Sequence, residues 1–248
     1  MSILEHHYQS VVERIRNACA ACGRDPAGVK LLAVSKTKPA AMVEEVYRLG
    51  QRSFGENYVQ DGMDKITALA HLDDIDWHFI GPLQSNKTRI VAEHFQWVET
   101  IDRERIARRL NDQRPAELPP LNVLLQVNIS GEEQKSGVMP EELDALATAV
   151  SSMPRLCLRG LMCIPEHTTD EDALAQQFRQ MKTQLSALQS RYPQMDTLSM
   201  GMSADMALAV ACGSSEVRIG TDIFGARDYN HSEHTHSNGA HNDSSTPR

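Results

Sequence analysis

Short apolar segments alternate with amphipathic helical stretches along most of the chain, and this alternation restricts its fold more than any other feature. Eight segments read as strands: LLAVSK (31–36), SFGEN (53–57), WHFIG (77–81), WVETI (97–101), NVLLQVNI (122–129), RGLMCI (159–164), TLSMG (197–201) and EVRIG (216–220). Helical patterns fill nearly every gap. Met42, Val46 and Leu49 are in phase before Gly50, and Leu174, Phe178, Met181, Leu185, Leu188 and Tyr192 are in phase before the seventh strand. Strands alternating with helices imply parallel pairing through right-handed crossovers. Eight such units predict a single (β/α)8 barrel of the TIM type; an open doubly wound sheet is the alternative.

The length of 248 residues suits one such barrel. An amphipathic helix is predicted over 4–22, with Leu4, Tyr8, Val11, Ile15 and Cys19 on one stripe. The barrel domain with this helix is expected over 1–228, followed by a disordered tail at 229–248. That tail carries His231, His234, His236 and His241 but almost no apolar residues, too few to offset its ordering entropy. A net charge of −8 argues against a general nucleic-acid binder, and no apolar run is long enough to span a bilayer. Five scattered cysteines and the lack of a secretory signal predict a reducing, cytoplasmic setting. Cys19 and Cys22 read as packed thiols near a helix end, and no metal site is expected.

A barrel predicts where its chemistry lies, because functional residues gather at the C-terminal ends of the strands. Those ends carry Lys36, then Glu56, Asn57 and Tyr58, then His78 with Gly81, and Asn128. The seventh strand runs into Met202 and Ser203, and the eighth into Arg218, Gly220 and Thr221. Lys36 is the unusual one, since it alone among the lysines closes a strongly apolar strand. An amine there either lines a pocket, where burial and nearby cations favour its neutral nucleophilic form, or snorkels to the rim and caps carbonyls. Position alone does not choose. Ser203 suits the N-cap of a helix beginning at Ala204, and the Gly201 and Gly220-Thr221 turns let backbone approach closely. Loops after strands seven and eight recurrently form the phosphate site of such barrels.

At these residues the chain resembles the pyridoxal phosphate homeostasis protein family, small barrels related to alanine racemase that bind pyridoxal 5′-phosphate (PLP). The resemblance rests on LLAVSKTKP (31–39), FGENYVQ (54–60), WHFIGPLQSNK (77–87), TID (100–102), VLLQVNIS (123–130), KSG (135–137), RGLMCIP (159–165), LSMGMSADM (198–206) and VRIGTDIFGARDY (217–229). It implies a fold-type III PLP barrel without the C-terminal β-domain of the larger enzymes, with Lys36 attached to PLP as an aldimine. It further implies that Ser203, Gly220, Thr221 and the backbone around Met202 hold the phosphate, while Asn57 and His78 line the cofactor face. Arg218 would meet either the phosphate or the pyridine nitrogen. Met162 is a candidate to pack on the ring, and Lys135 a candidate for a second, weaker aldehyde contact.

Only about two dozen residues follow Gly225, too few for a second catalytic domain. An arginine beside the pyridine nitrogen would also weaken the ring as an electron sink. The expected function is therefore PLP homeostasis by a non-catalytic carrier, without catalytic residues of its own. Its expected partners are PLP and apo-enzymes, without nucleic acid or membrane, and its expected state is a monomer. The alternatives are an amino-acid racemase or lyase, with Tyr58 or His78 moving protons, and an aldolase whose lysine attacks a substrate carbonyl directly.

Overall fold

The computed structural model describes residues 1–132 and 134–226; the expected tail at 229–248 lies outside the described residues. Eight parallel strands form a closed barrel: β1 (Lys30–Val34), β2 (Ser53–Glu56), β3 (Asp76–Phe79), β4 (Trp97–Ile101), β5 (Leu121–Gln126), β6 (Leu156–Met162), β7 (Thr197–Ser199) and β8 (Glu216–Ile219). Closure is explicit in the register, because β1 pairs with β2 through Ala33 and Phe54 and with β8 through Leu32 and Arg218. The open-sheet alternative is thereby excluded. Every expected strand is present, but seven of the eight stop one to three residues before the sequence pattern does. The polar residues that close each apolar run therefore stand in loops beyond the sheet.

Nine α-helices surround the barrel among the described residues: α1 (Ile3–Ala21), α2 (Ala40–Arg48), α3 (Val59–Ala68), α4 (Thr88–His94), α5 (Glu104–Gln113), α6 (Leu143–Ser151), α7 (Glu171–Gln189), α8 (Met206–Ala211) and α9 (Thr221–Phe224). The Ser2 side chain caps α1 by accepting from the Glu5 amide at 3.0 Å. Its buried stripe of Leu4, Val11, Ile15, Ala18 and Cys19 faces the molecule, and the helix packs on α2, α8 and α9. None of the helices is long and apolar enough to cross a membrane.

Strand periodicity divides the molecule into two interiors. Along β8, Val217 and Ile219 join the main apolar core between sheet and helices, so Glu216 and Arg218 point into the barrel. A small separate cluster of Trp97, Leu124 and Met162 lies in the barrel interior, and Leu32, paired in register with Arg218, is buried there too. His78, Glu99, Ser199, Glu216 and Arg218 are buried as well. Aliphatic layers fill an ordinary barrel, whereas this one spends inward positions on charge.

Candidate functional site

The turn that follows β1 is built to present Lys36. Thr37 has φ 62°, a left-handed conformation that is costly for a threonine. Its amide donates to Asp61 Oδ2 at 2.7 Å, which holds it there. Behind the turn lies Lys65 of α3, only 3% exposed, whose ammonium donates to the Ser35 carbonyl at 2.7 Å and to Glu56 Oε1 at 2.8 Å. Ser35 Oγ completes the clamp by donating to Glu56 Oε1 at 2.5 Å. Burial pushes the Glu56 carboxyl up to about 7, against the pull of Lys65. Lysine 65 had no visible role in the sequence, since its helical position predicts solvent.

Lys36 faces a cavity of about 390 Å³ at the C-terminal mouth of the barrel. Seven of the eight residues expected to bind cofactor line it: Lys36, Asn57, Met202, Ser203, Arg218, Gly220 and Thr221. Met162 lines it too, alongside Val34, Ile80, Ile164 and Phe224. Lys38, expected only as a loop residue, also reaches the cavity and donates to the Ala226 carbonyl at 2.5 Å. Three cationic side chains thus converge on the cavity, and among the described residues that line it there is no carboxylate. In a chain of net charge −8, such a gathering of cations favours an anionic group.

Asn57 is placed by a backbone contact. A Cβ on Gly81 would stand 2.0 Å from the Asn57 carbonyl oxygen, so only glycine permits β2 and β3 loops to meet there. Asn57 Oδ1 is buried and lacks a hydrogen-bond partner, a costly state that a bound polar group would relieve. On the far wall, Arg218 donates through Nη1 to Ser199 Oγ and through Nη2 to the Cys163 carbonyl, both at 2.8 Å. Both bonds anchor the guanidinium to β7 and to the residue that follows β6.

The loop after β7 departs from expectation. Helix α8 begins at Met206 with Asp205 at its N-cap, so Ser203 is not the cap. The tight turn is the reason: Asp205 Oδ1 accepts from the Met202 amide at 2.5 Å, which delays the helix. The Met202 amide is consequently committed within the protein. Arg14 of α1 ties this loop to the next, donating to the Ser203 carbonyl at 2.9 Å and pairing with Asp222 of α9. Gly220 is the N-cap of α9, and its Cα hydrogen faces the Val34 carbonyl, 3.0 Å from where a Cβ would stand.

His78 does not line the cavity. It is fully buried within the barrel, stacked on Trp97 at 4.9 Å between centroids. Its Nδ1 lies 2.6 Å from Glu99 Oε1 and its Nε2 3.3 Å from Lys30 Nζ. Lys30 opens β1, so this histidine looks toward the N-terminal mouth rather than the cofactor face. Placing it with Gly81 at the mouth of the third strand missed that His78 lies within β3 and points into the barrel, its neighbour Phe79 joining the outer core. Tyr58 is 57% exposed and stands outside the cavity as the N-cap of α3. Lys135 pairs with Glu132 Oε1 at 2.6 Å and also lies outside it. All five cysteines are free; Cys19 is buried, and burial pushes the Cys163 thiol up to about 12.

With this geometry in view, the similarity to known proteins is specific. The family model for the alanine racemase N-terminal domain matches residues 7–228. The pyridoxal phosphate homeostasis protein of Escherichia coli is 58% identical over 231 residues, covering 92% of this chain and 99% of that protein. The structure of PipY from Synechococcus elongatus, solved with PLP bound, superposes with a TM-score of 0.74 at 37% identity, covering 85% of this chain and 100% of that one. Alanine racemase from Corynebacterium glutamicum shares the barrel alone, with a TM-score of 0.67 at 13% identity over 88% of this chain and 62% of that enzyme.

Proposed function

The chain belongs to the alanine racemase N-terminal-domain family and, within it, to the pyridoxal phosphate homeostasis proteins; from that premise we propose that it binds PLP at Lys36 and holds it available for other enzymes. The observation that carries this reading is a cavity lined by three cationic side chains, one of them a lysine presented on a clamped turn. PLP brings an aldehyde for that amine and an electron-withdrawing ring. Ser203, Gly220 and Thr221 would hold the phosphate, with Arg14 fixing the spacing of their two loops. Asn57 would give its buried oxygen a partner, and Met162 would pack on the ring. Arg218, anchored to Ser199 and Cys163, would face the ring rather than the phosphate.

Two features favour holding the cofactor over turning substrates over. A guanidinium at the ring end disfavours the protonated pyridine that stabilises carbanions. The residues considered for proton transfer, Tyr58 and His78, both stand outside the cavity. A monomer working in the cytoplasm, as the sequence led us to expect, belongs to the same proposal, as does delivery to apo-enzymes. The test is direct. Protein loaded with PLP should absorb near about 420 nm, a property of the bound chromophore, and Lys36→Ala should lose that band. The loaded protein should restore activity to a PLP-requiring apo-enzyme while leaving amino acids unchanged. Lys36-dependent racemisation or decarboxylation of an amino acid would replace the carrier reading with the enzymatic one.

A further inference from the structure

The charged groups inside the barrel form one continuous chain between its two mouths. Arg218 Nη1, at the cavity, donates to Ser199 Oγ at 2.8 Å, and Ser199 Oγ donates to Glu99 Oε2 at 2.7 Å. From the other side Lys30 Nζ lies 3.3 Å from His78 Nε2, and His78 Nδ1 lies 2.6 Å from Glu99 Oε1. One assignment of protons satisfies every link. The Lys30 ammonium donates to Nε2, a neutral imidazole donates from Nδ1, the serine donates onward from Arg218, and both carboxylate oxygens of Glu99 accept. Burial keeps the imidazole neutral by pushing His78 down to about 3. Glu99 is then the anion to which a cation at each mouth is tied.

Glu216 is the remaining member. His78, Glu99 and Glu216 present ligating atoms within 4.8 Å of one another, but neither Glu216 oxygen has a hydrogen-bond partner. Two buried carboxylates this close resist ionising together, so Glu216 keeps its proton up to about 7, and its own ionisation falls in the lower part of the pH range used below. A cation would suit the gap between them, and the Lys30 ammonium fills that role, 3.9 Å from Glu216 Oε2.

We propose that Glu99 is a positioning residue for cofactor capture, anchoring Arg218 through Ser199 and offsetting the positive charge of the cavity that holds Lys36. The proposal rests on PLP binding at Lys36. The residues that face Glu99 are Arg218 and Glu216 from β8, Ser199 from β7, His78 from β3 and Lys30 from β1. Among the described residues, the charged groups around Lys36 include Lys38 and Arg218 in the cavity and Glu56, Asp61 and Lys65 behind its turn.

The sign of the effect follows from electrostatics. Lys36 captures an aldehyde only as the neutral amine, so the rate of PLP capture rises with pH and its midpoint reports the lysine. Removing the anion makes the interior more positive and expels the lysine proton at lower pH. Glu99→Gln should move the midpoint down, the direction that removing a buried negative charge dictates. Lys30→Met, at the far mouth with its side chain 37% exposed, should move it up and by less. The measurement is the appearance of the visible band after rapid mixing with PLP across pH 6–10 (roughly the range of a perturbed lysine). Opposite shifts support the proposal, and a purely structural role for the network would not produce them. Midpoints equal to wild type in both variants, or shifts of the same sign, overturn it. If Glu99→Gln does not fold, an unshifted Lys30→Met midpoint overturns it alone. A wild-type protein that forms no band overturns the PLP reading itself, and that outcome is distinct from the others.

Discussion

At the scale of single residues, Glu216 carries the most informative conflict. Its side chain is 1% exposed, and both oxygens lack partners. Burial, reinforced by the neighbouring Glu99 charge, pushes it up to about 7 from an ordinary value of about 4.3. A carboxyl raised on folding binds its proton more tightly in the native state, so it costs stability as pH rises from about 4.3 to about 7. Glu216→Gln cannot titrate and keeps the shape of the protonated acid. The variant should match wild type near pH 4.5 and exceed it at pH 8 by on the order of 1–3 kcal/mol, measured by urea unfolding at both pH values. Glu56, raised in the same direction, leaves part of the wild-type slope in place. His78 acts with the opposite sign. Its depressed value means that stability is lost as pH falls below about 6.5, which brackets the optimum from the acid side. An equal pH slope in Glu216→Gln and wild type would show that this carboxyl is ionised throughout.

At the scale of elements, what the sequence conveyed and what it hid have different physical origins. Eight strands were legible because each apolar run is bounded by turn residues and followed by a helical phase. Lys36, Arg218 and the two glycine-rich loops were legible because the barrel assigns function to strand ends. Hidden were the inward partners: Glu99 and Glu216 look like ordinary strand polars, and Lys30 lies just before the first expected strand, until closure of the barrel brings them together. Alternation along EVRI does mark Glu216 and Arg218 as one face, but nothing local says that the face is dry. Helix α1 was legible as an amphipathic element, whereas its reach to the loops after β7 and β8 depends on packing. Arg14 makes that contact 189 residues away in sequence. Arg14→Ala should loosen both loops without unfolding the barrel, since its side chain is 43% exposed. The expected result is PLP affinity weakened by about 5- to 30-fold, for the loss of about 1–2 kcal/mol of loop ordering. Equilibrium titration of PLP absorbance checks this, and unchanged affinity would free α1 from any part in the site.

For the whole molecule, the cavity and the barrel interior form one electrostatic unit, and cofactor and stability are therefore linked. The cavity gathers Lys36, Lys38 and Arg218, with no carboxylate among the described residues that line it, while the interior behind it holds Glu99 as counter-charge. A dianionic phosphate bound among these cations adds favourable Coulomb energy to the native state. Because the unfolded chain lacks the cavity, PLP binds the native state selectively and stabilises it by mass action, by about 2.7 kcal/mol at a hundred times its dissociation constant. For a domain of this size that corresponds to a rise in thermal midpoint of about 5–10 °C. Inorganic phosphate at the same concentration should give only a fraction of the shift, because it engages the loops of Ser203 and Thr221 but offers nothing to Lys36. Lys36→Ala separates the two contributions: it should retain the phosphate effect and lose most of the additional PLP effect. Equal shifts from PLP in wild type and Lys36→Ala would mean that the anion site alone holds the cofactor and that the lysine turn is built for something else.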